Sequence, residues 1–296
     1  MNAKLNHLIA CLKHPLKSVK YFLEREGGYR MNDREYLEFA YDYLRGERIN
    51  LDNPITYTEK LNWMKVYDQN PLYTKLVDKY SVKKYVEDKI GKEYVVPLIG
   101  VWNNVEEIDL KTLPEKFVLK CTHDSGGVFI CDDREKFNFN EVKGKISTRL
   151  KKDYSQSGRE WPYGNVPRKI IAEKYVENLS DNNYKFFCFN GKCKALYVAP
   201  FREKFVDYFD RDFNHLDIFT EIHGMDKQPP AKPACFEKMR DLAETLAEGL
   251  RAVRVDLYLS NEKIYFGEFT FFHEGGFMPF QPEHWNYDFG SWLKID

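Results

Sequence analysis

RVDLYLSNEKIYFGEFT, residues 254–270, is the stretch on which the reading of this chain turns. Two apolar runs, Val253–Leu259 and Ile264–Phe271, meet across Ser260-Asn261-Glu262-Lys263, a turn-forming tetrapeptide, which predicts a β-hairpin. Asp256 and Glu268 fall on facing strands, each among residues suited to burial. Carboxylates seldom enter such settings unless they are paired or hold a cation. Two hard oxygen ligands with room beside them for phosphate suit Mg²⁺. The competing reading is that both strands are half exposed and the acids solvated, or that Arg254 pairs with one of them.

At 296 residues the chain can bury a sizeable core, and two or three closely packed lobes are expected. A net charge of −1 gives no reason to expect nucleic acid as a partner. The 20 Tyr, 22 Phe and 5 Trp fit a packed protein with a carbohydrate-facing surface. Cysteines at 11, 121, 131, 188, 193 and 235 form no Cys-x-x-Cys and no zinc spacing, which points to a reduced, cytoplasmic protein. No apolar run approaches the ~18 residues of a membrane span. Residues 1–23 carry Lys4, Lys13, Lys17 and Lys20 and no acid, among Leu5, Ile9, Leu12, Leu16, Val19, Phe22 and Leu23. Such a basic amphipathic segment either rests on a membrane or partner surface or packs on its own domain.

Apolar spacing predicts helices over 29–48 and 57–68. It predicts one continuous helix over 72–90, with Leu76, Tyr80, Val82 and Val86 facing inward and Gly91 as the stop. Residues 94–101 read as a strand broken at Pro97. From about residue 114 strands take over. Phe117–Cys121 and Val128–Cys131 flank the loop 122–127, and Ile170–Val176, Tyr184–Phe189 and Lys194–Ala199 follow a basic helix over 138–153. A helix over 235–251 precedes the hairpin. Helices first, then antiparallel strands, indicate an α+β protein in layered lobes.

Lys120 closes a strand and is followed by Ser125-Gly126-Gly127. A cation beside backbone N–H groups that glycine leaves accessible can form an anion nest, although most Gly-Gly pairs are only turns. The lysine precedes the glycines and no helix follows, so this is not the Gly-x-x-x-x-Gly-Lys loop. The order of elements adds to it. Asp78-Lys79 opens a helix carrying Lys83, then come Phe117–Lys120 with its glycine hairpin, IIAEKYV (170–176) with Asp181 shortly after, and last Arg254-x-Asp256 with Glu268-x-Thr270.

This succession resembles the ATP-grasp superfamily of ATP-dependent carboxylate–amine ligases, over most of residues 55–293. Within it the chain looks most like the teichuronopeptide-biosynthesis (TupA-like) family. The matching strings are ITYTEKLNWMK (55–65), LPEKFVLKCTHDSGG (113–127), SGREWPYGNVPRKIIAEKYVE (157–177), NYKFFCFNGK (183–192) and RVDLYLSNEKIYFGEFTF (254–271). The resemblance implies an α+β, ATP-grasp-like fold of two lobes gripping ATP between sheets. A helical, basic region would span 1–54 and a helical portion 55–112. A small lobe with a glycine-hairpin lid would span 113–176, and a large lobe with the Mg²⁺ site 177–296.

It also implies roles. Lys79 and Lys120 would hold the ATP phosphates, and the hairpin bearing Ser125, Gly126 and Gly127 would close over them. Glu173 and the backbone of Lys174 and Val176 would read the adenine edge, with Asp181 on the ribose. Asp256, Glu268 and Thr270 would ligate Mg²⁺. Arg254 and Lys120 would stabilise charge on the transferred phosphoryl group. The implied substrates are a carboxylate-bearing sugar or glycan and an amine such as an amino acid, in cell-surface polysaccharide assembly. The basic amino-terminal segment leaves peripheral contact with membrane-bound assembly machinery open.

The chain departs from the family's pattern. Thr270 stands where many ATP-grasp ligases carry Asn, and Asp124 where this family's loop is expected to carry Gly. No general base is evident. On the acceptor side, Arg159, Trp161, His273 and Glu274 are candidates, and Lys143, Lys145, Arg149, Lys151 and Lys152 with Trp161 and Tyr163 would suit an anionic sugar or merely form a solvated face. Asp210-Arg-Asp212 supports a second reading, a glycosyltransferase holding a metal and a nucleotide sugar. A nucleotide-binding scaffold or a glycan kinase on the same fold is a third.

Overall fold

The computed structural model describes residues 15–25, 31–200, 205–221, 223–225 and 228–295. Helix α1 (Pro15–Arg25) packs on α2 (Asp33–Arg45), which a capping box from Asn32 and Glu35 starts and left-handed Gly46 ends. Lys17 of α1 is paired with Asp42, and residues 1–14 of the basic segment lie outside the described residues. Helix α3 (Tyr57–Tyr67) opens on a second capping box, Thr56 with Glu59.

The single helix expected over 72–90 is two, α4 (Leu72–Val77) and α5 (Ser81–Ile90). Asp78 is the reason. Its carboxylate accepts hydrogen bonds from the Tyr80 N–H (2.9 Å) and the Ser81 hydroxyl (2.5 Å), which ends the first helix and starts the second. Tyr80 thereby turns outward, 38% exposed, while Leu76, Val82 and Val86 are buried as expected. The Lys79 N–H donates to the Thr122 carbonyl (3.2 Å) and ties the break to the 122–127 loop.

Strand β1 (Leu98–Trp102) begins just after Pro97 and pairs with β4 (Ile170–Lys174); β2 (Phe117–Cys121) and β3 (Val128–Cys131) complete an antiparallel sheet in the order β1-β4-β2-β3. This smaller sheet thus takes in residues ahead of 113. Helix α6 (Phe139–Lys151) covers it, with Ile146 in a core of its own among Phe117, Leu119 and Ile170. A short helical turn, α7 (Trp161–Gly164), leads to β4.

The larger sheet holds β5 (Leu179–Phe189), β6 (Lys192–Pro200), β7 (Asp207–Asp210), β8 (His215–Leu216), β9 (Ala252–Ser260) and β10 (Lys263–Thr270), in the order β10-β9-β5-β6-β7-β8. Helix α8 (Phe236–Ala247) covers one face with Phe236, Met239, Ala243 and Leu246, and α9 (His284–Trp292) packs against α3. The fold is α+β. Lys120 of the smaller sheet and Lys83 of α5, a helix packed on the larger core, both reach Glu173 of β4 at the cleft between the two sheets.

Candidate active site

The β9–β10 hairpin closes through Asn261 and Glu262, both at positive φ (48° and 67°), a two-residue turn whose twist matches the strands. From that turn the register runs regularly to Phe266 opposite Leu257, and then slips: Glu268, not Gly267, pairs with Asp256. Gly267 is the extra residue, and a Cβ there would lie 2.4 Å from the Tyr258 ring. The side-chain period of a strand is two, so without this bulge Glu268 would point to the opposite face. With it, Tyr197, Lys185, Asp256 and Glu268 form one row across β6, β5, β9 and β10, and Arg254 and Thr270 share the next.

Asp256 is fully buried. Its Oδ1 accepts from Arg254 Nε (2.7 Å), and Oδ2 from Arg254 Nη2 (2.9 Å) and from Lys185 Nζ. Burial works against its charge, but Arg254 and Lys185 outweigh it and hold the carboxyl below its usual range. Arg254 also donates to Thr270 Oγ1 (2.9 Å) and to His273 Nδ1 (3.0 Å). Glu268 is the open carboxylate: 41% of its side chain is exposed and Arg254 stands 3.8 Å away. Asp256, Glu268 and Thr270 are therefore adjacent oxygen donors of the kind Mg²⁺ takes, with Glu268 accessible and Asp256 shared with two cations. Among the described residues no cluster of three His, Cys, Asp or Glu forms a closed metal cage, so the remaining positions of such an ion would fall to phosphate and water.

Between the sheets lies a cleft of about 260 Å³. Its charged lining is Lys79, Lys83, Lys120 and Lys174 against Glu173 and Glu268; its apolar lining includes Val82, Val118, Val128, Ile130 and Phe266. Val128 and Ile130 are 44% and 58% exposed, apolar surface that a flat aromatic ligand would cover. Glu173 is buried between Lys120 Nζ (2.6 Å) and Lys83 Nζ. Burial would raise its pKa, yet the two lysines hold it below the usual value; burial lowers that of Lys83, with Glu173 opposing. Glu173 is thus a clamp on the two lysines, which qualifies the expected adenine contact. The Lys174 N–H is given to the Pro97 carbonyl (2.9 Å), while Val176 lines the cleft and exposed Asp181 does not.

The 122–127 loop buries Asp124. That carboxylate does not face the cleft as a free acid: it is buried, 2.7 Å from Arg149 Nη1 and 3.6 Å from Lys79 Nζ. Lys79 also donates to the Asp124 carbonyl. Ser125 is exposed at the tip and Gly126 takes φ 74°. Neighbouring His123 is buried, its Nε2 3.2 Å from the Arg149 carbonyl, and burial lowers its pKa, so it is a neutral structural group.

A second pocket of about 330 Å³ is lined by Arg254, Glu268 and Thr270 on the sheet side and by Ser125, Ser157, Glu160 and Glu274 opposite. Glu268 lines both spaces. A further depression of about 570 Å³, between the β9–β10 turn and Pro233–Lys238, holds none of these residues.

Several acceptor-side expectations change. Arg159 is buried away from the pocket, stacked 4.1 Å over Tyr36 and near Asp33 (3.3 Å) and Glu24 (3.6 Å), where it binds the loop to the amino-terminal helices. Trp161 packs against Tyr73. His273 is buried beside Phe187, Tyr197 and Phe280; burial, then Arg254, push its pKa well down, leaving a neutral ring. Of the four candidates only Glu274 lines the pocket. The basic stretch is largely neutralised, with Lys143 on Glu106, Lys145 on Glu141 and Arg149 on Asp124.

Two features escaped the sequence reading. Lys185 was detectable as a lone cation in the apolar run Tyr184–Phe189. On α3, Thr58, Asn62 and Lys65 form a buried polar stripe. Asn62 Nδ2 donates to the Gly276 carbonyl (2.6 Å) and Lys65 Nζ to that of Gly275 (2.5 Å), clamping the 273–277 loop that borders the second pocket.

A sequence profile of the family described as TupA-like ATPgrasp matches residues 59–294. No curated protein matches. Solved structures similar to the chain include D-alanine–D-alanine ligase from Helicobacter pylori (11% identity, 81% of this chain and 69% of that one, TM-score 0.47). L-amino acid ligase from Bacillus licheniformis is similar at 14% identity over 80% of this chain and 55% of that one, with a TM-score of 0.47. D-alanine–D-alanine ligase from Bacillus anthracis is similar at 17% over 66% and 56%, TM-score 0.40. The chain spans little more than half the length of two of these proteins and 69% of the third.

Proposed function

The chain belongs to the TupA-like ATP-grasp family, and on that premise we propose that it is an ATP- and Mg²⁺-dependent carboxylate–amine ligase. The observation that carries the reading is Glu268, which lines both the lysine-rich cleft and the Arg254 pocket. A phosphoryl group passing from one space to the other would cross at that carboxylate.

In this reading the base lies against Val128 and Ile130 with its edge toward the Lys174–Val176 backbone, and the ribose would have to reach out of the cleft to meet exposed Asp181, which lies outside the lining. Lys79, Lys83, Lys120 and the Ser125–Gly127 lid surround the phosphates. Asp256, Glu268 and Thr270 hold Mg²⁺, which supplies charge neutralisation to the phosphates when bound. Arg254 and Lys185 share Asp256 and stand beside the point where a carboxylate receives the phosphoryl group. A free carboxylate is a poor electrophile; an acyl phosphate is attacked by an amine with release of phosphate. Losing one such electrostatic contact costs ~2.7–4 kcal/mol of barrier.

The finer reading is an amino acid joined to a uronic acid, or a glycan-linked peptide extended, during cell-surface polysaccharide assembly at the cytoplasmic side. Its support is the run of matching strings across 55–271. Among the described residues no helix is long and apolar enough to cross a membrane. The glycosyltransferase reading loses its footing: Asp210 accepts from the Asp212 and Asn214 N–H groups (2.9 Å each) and from Asn214 Nδ2 (2.7 Å), a loop-closing role, and Asp212 meets Arg240.

The test is incubation with ATP, Mg²⁺ and a panel of uronic acids and amino acids, assayed for ADP and free phosphate. Acceptor-dependent release of both, lost in Glu268→Gln and Lys120→Ala, is expected. ADP without free phosphate would identify a kinase. Silence across the panel together with undetectable ATP binding would sink the reading.

A further inference from the structure

The two spaces that meet at Glu268 differ in charge. The cleft between the sheets carries four lysines against two glutamates, while the second pocket carries Glu160, Glu268 and Glu274 against Arg254, itself committed to Asp256. A pocket of that balance favours a cation, and Glu268 accounts for one on the Mg²⁺ side. Glu160 is left over. It sits in the inner wall, opposite the sheet, and its carboxylate forms no hydrogen bond and no ion pair within 4 Å among the described residues. Two backbone glycines keep its Oε1 accessible: a Cβ on Gly158 would lie 3.0 Å from it and one on Gly275 3.8 Å. Tyr154, Tyr163 and Tyr197 line the same space, with Lys152 over the Tyr154 ring and Lys185 and Arg254 over that of Tyr197.

We propose that Glu160 seats the ammonium of the amine substrate and takes its proton as the nitrogen attacks. This rests on the ligase reading and adds the group that holds the nucleophile. The ammonium gives one proton to the Glu160 carboxylate. The freed lone pair forms the C–N bond at the acyl carbon, the C–O bond to phosphate breaks, and phosphate leaves with that electron pair and the second nitrogen proton. Glu160 then returns its proton to water. The charged groups facing Glu160 are Lys65 from α3, Arg254 from β9 and Glu274 from the loop after β10. Burial raises its pKa, Lys65 lowers it and Glu274 raises it, and the balance is upward, the direction that makes it a better proton acceptor.

The probe is glycinamide, which carries an ammonium and no carboxylate, with acetamide as the uncharged control. Binding is measured by calorimetry and by carboxyl ¹³C resonances of glutamate-labelled protein, with the Glu160 signal assigned by its loss in Glu160→Gln. Glycinamide is expected to bind the wild type, shift that signal, and bind Glu160→Gln at least tenfold more weakly; acetamide should do nothing. Unchanged MgATP affinity in Glu160→Gln establishes that the variant is folded. No glycinamide binding to the wild type, equal binding to Glu160→Gln, or a loss confined to Glu274→Gln overturns the proposal. The readout needs no turnover, so it is separable from failure of the ligase assay. Where that assay shows ligation, Glu160→Gln should slow an amino acid acceptor 10²–10⁴-fold yet spare hydroxylamine, which is largely unprotonated at neutral pH.

Discussion

Single residues in this protein separate structural charge from working charge. Asp256 and Glu268 face each other across the hairpin, yet only Asp256 is buried between two cations. Asp256→Asn leaves Arg254 and Lys185 without their partner, and breaking a buried pair in this way costs about 3–5 kcal/mol. Glu268→Gln removes a half-exposed carboxylate whose cation is 3.8 Å away and should change stability by less than about 1 kcal/mol. Both should lose ligase activity, and denaturant unfolding should tell them apart; equal destabilisation would refute the distinction. Lys65 gives a second test. Burial lowers its pKa from 10.5 to about 7, while an unfolded chain restores the ordinary value. Between those values the unfolded state binds more protons, so this group makes stability rise with pH above about 7, by up to ~1.4 kcal/mol per unit. Lys65→Met should flatten that slope over pH 7–9 in unfolding curves, whatever it does to stability at any one pH.

Among the elements, those legible in the sequence were the ones whose pattern is local. The β9–β10 hairpin was read from two apolar runs and Ser260–Lys263, and the helices from apolar spacing. The bulge at Gly267 was not, because a glycine in a strand does not announce which partner it will oppose. The Asp78 break was hidden by apolar spacing that continues straight through it. The stripe Thr58, Asn62 and Lys65 reads as an exposed polar face, since the carbonyls that bury it arrive more than 200 residues later. The candidate site was legible to the same extent: residues on one strand or hairpin could be placed together, whereas Lys185, Glu160 and the true setting of Arg159 depend on packing between distant segments. The 122–127 loop, proposed above as the lid, can be tested through Gly127. A Cβ on Gly127 would lie 2.0 Å from Asp124 Oδ2, and Arg149 fixes that carboxylate at 2.7 Å, so it cannot swing aside. Gly127→Ala should therefore distort the hairpin by about 1–3 kcal/mol and raise the KM for ATP. Asp124→Gly in the same chain removes the obstructing group and should restore the KM. Failure of the double variant to recover would show that the lid requires Gly127 for another reason.

For the whole molecule, the two sheets have separate cores. Ile146, Phe117 and Leu119 belong to the smaller one, and Phe186, Phe236, Val255 and Leu257 to the larger. The Lys120–Glu173 pair lies within the smaller sheet, on β2 and β4, whereas Lys83 reaches Glu173 from α5, whose Val82 and Val86 belong to the larger core. Cleft-lining Tyr258, Phe266 and Glu268 come from the larger side. A nucleotide filling the cleft would therefore touch both cores, and its binding energy would oppose their separation. At a hundredfold excess over Kd a ligand that binds only the closed form adds about 2.7 kcal/mol. Amide exchange from the smaller sheet should accordingly proceed through a sub-global opening cheaper than complete unfolding, and MgATP should slow it by roughly a hundredfold at that excess. In β5, β6 and α8, where exchange requires loss of the large core, the effect should be smaller. Lys120→Ala removes a cleft cation from the smaller side and should abolish most of the MgATP effect at the same nucleotide concentration. Equal protection of both sheets would mean that they open as one unit despite their separate cores. Protection of β2 and β3 that survives in Lys120→Ala would remove that lysine from nucleotide binding.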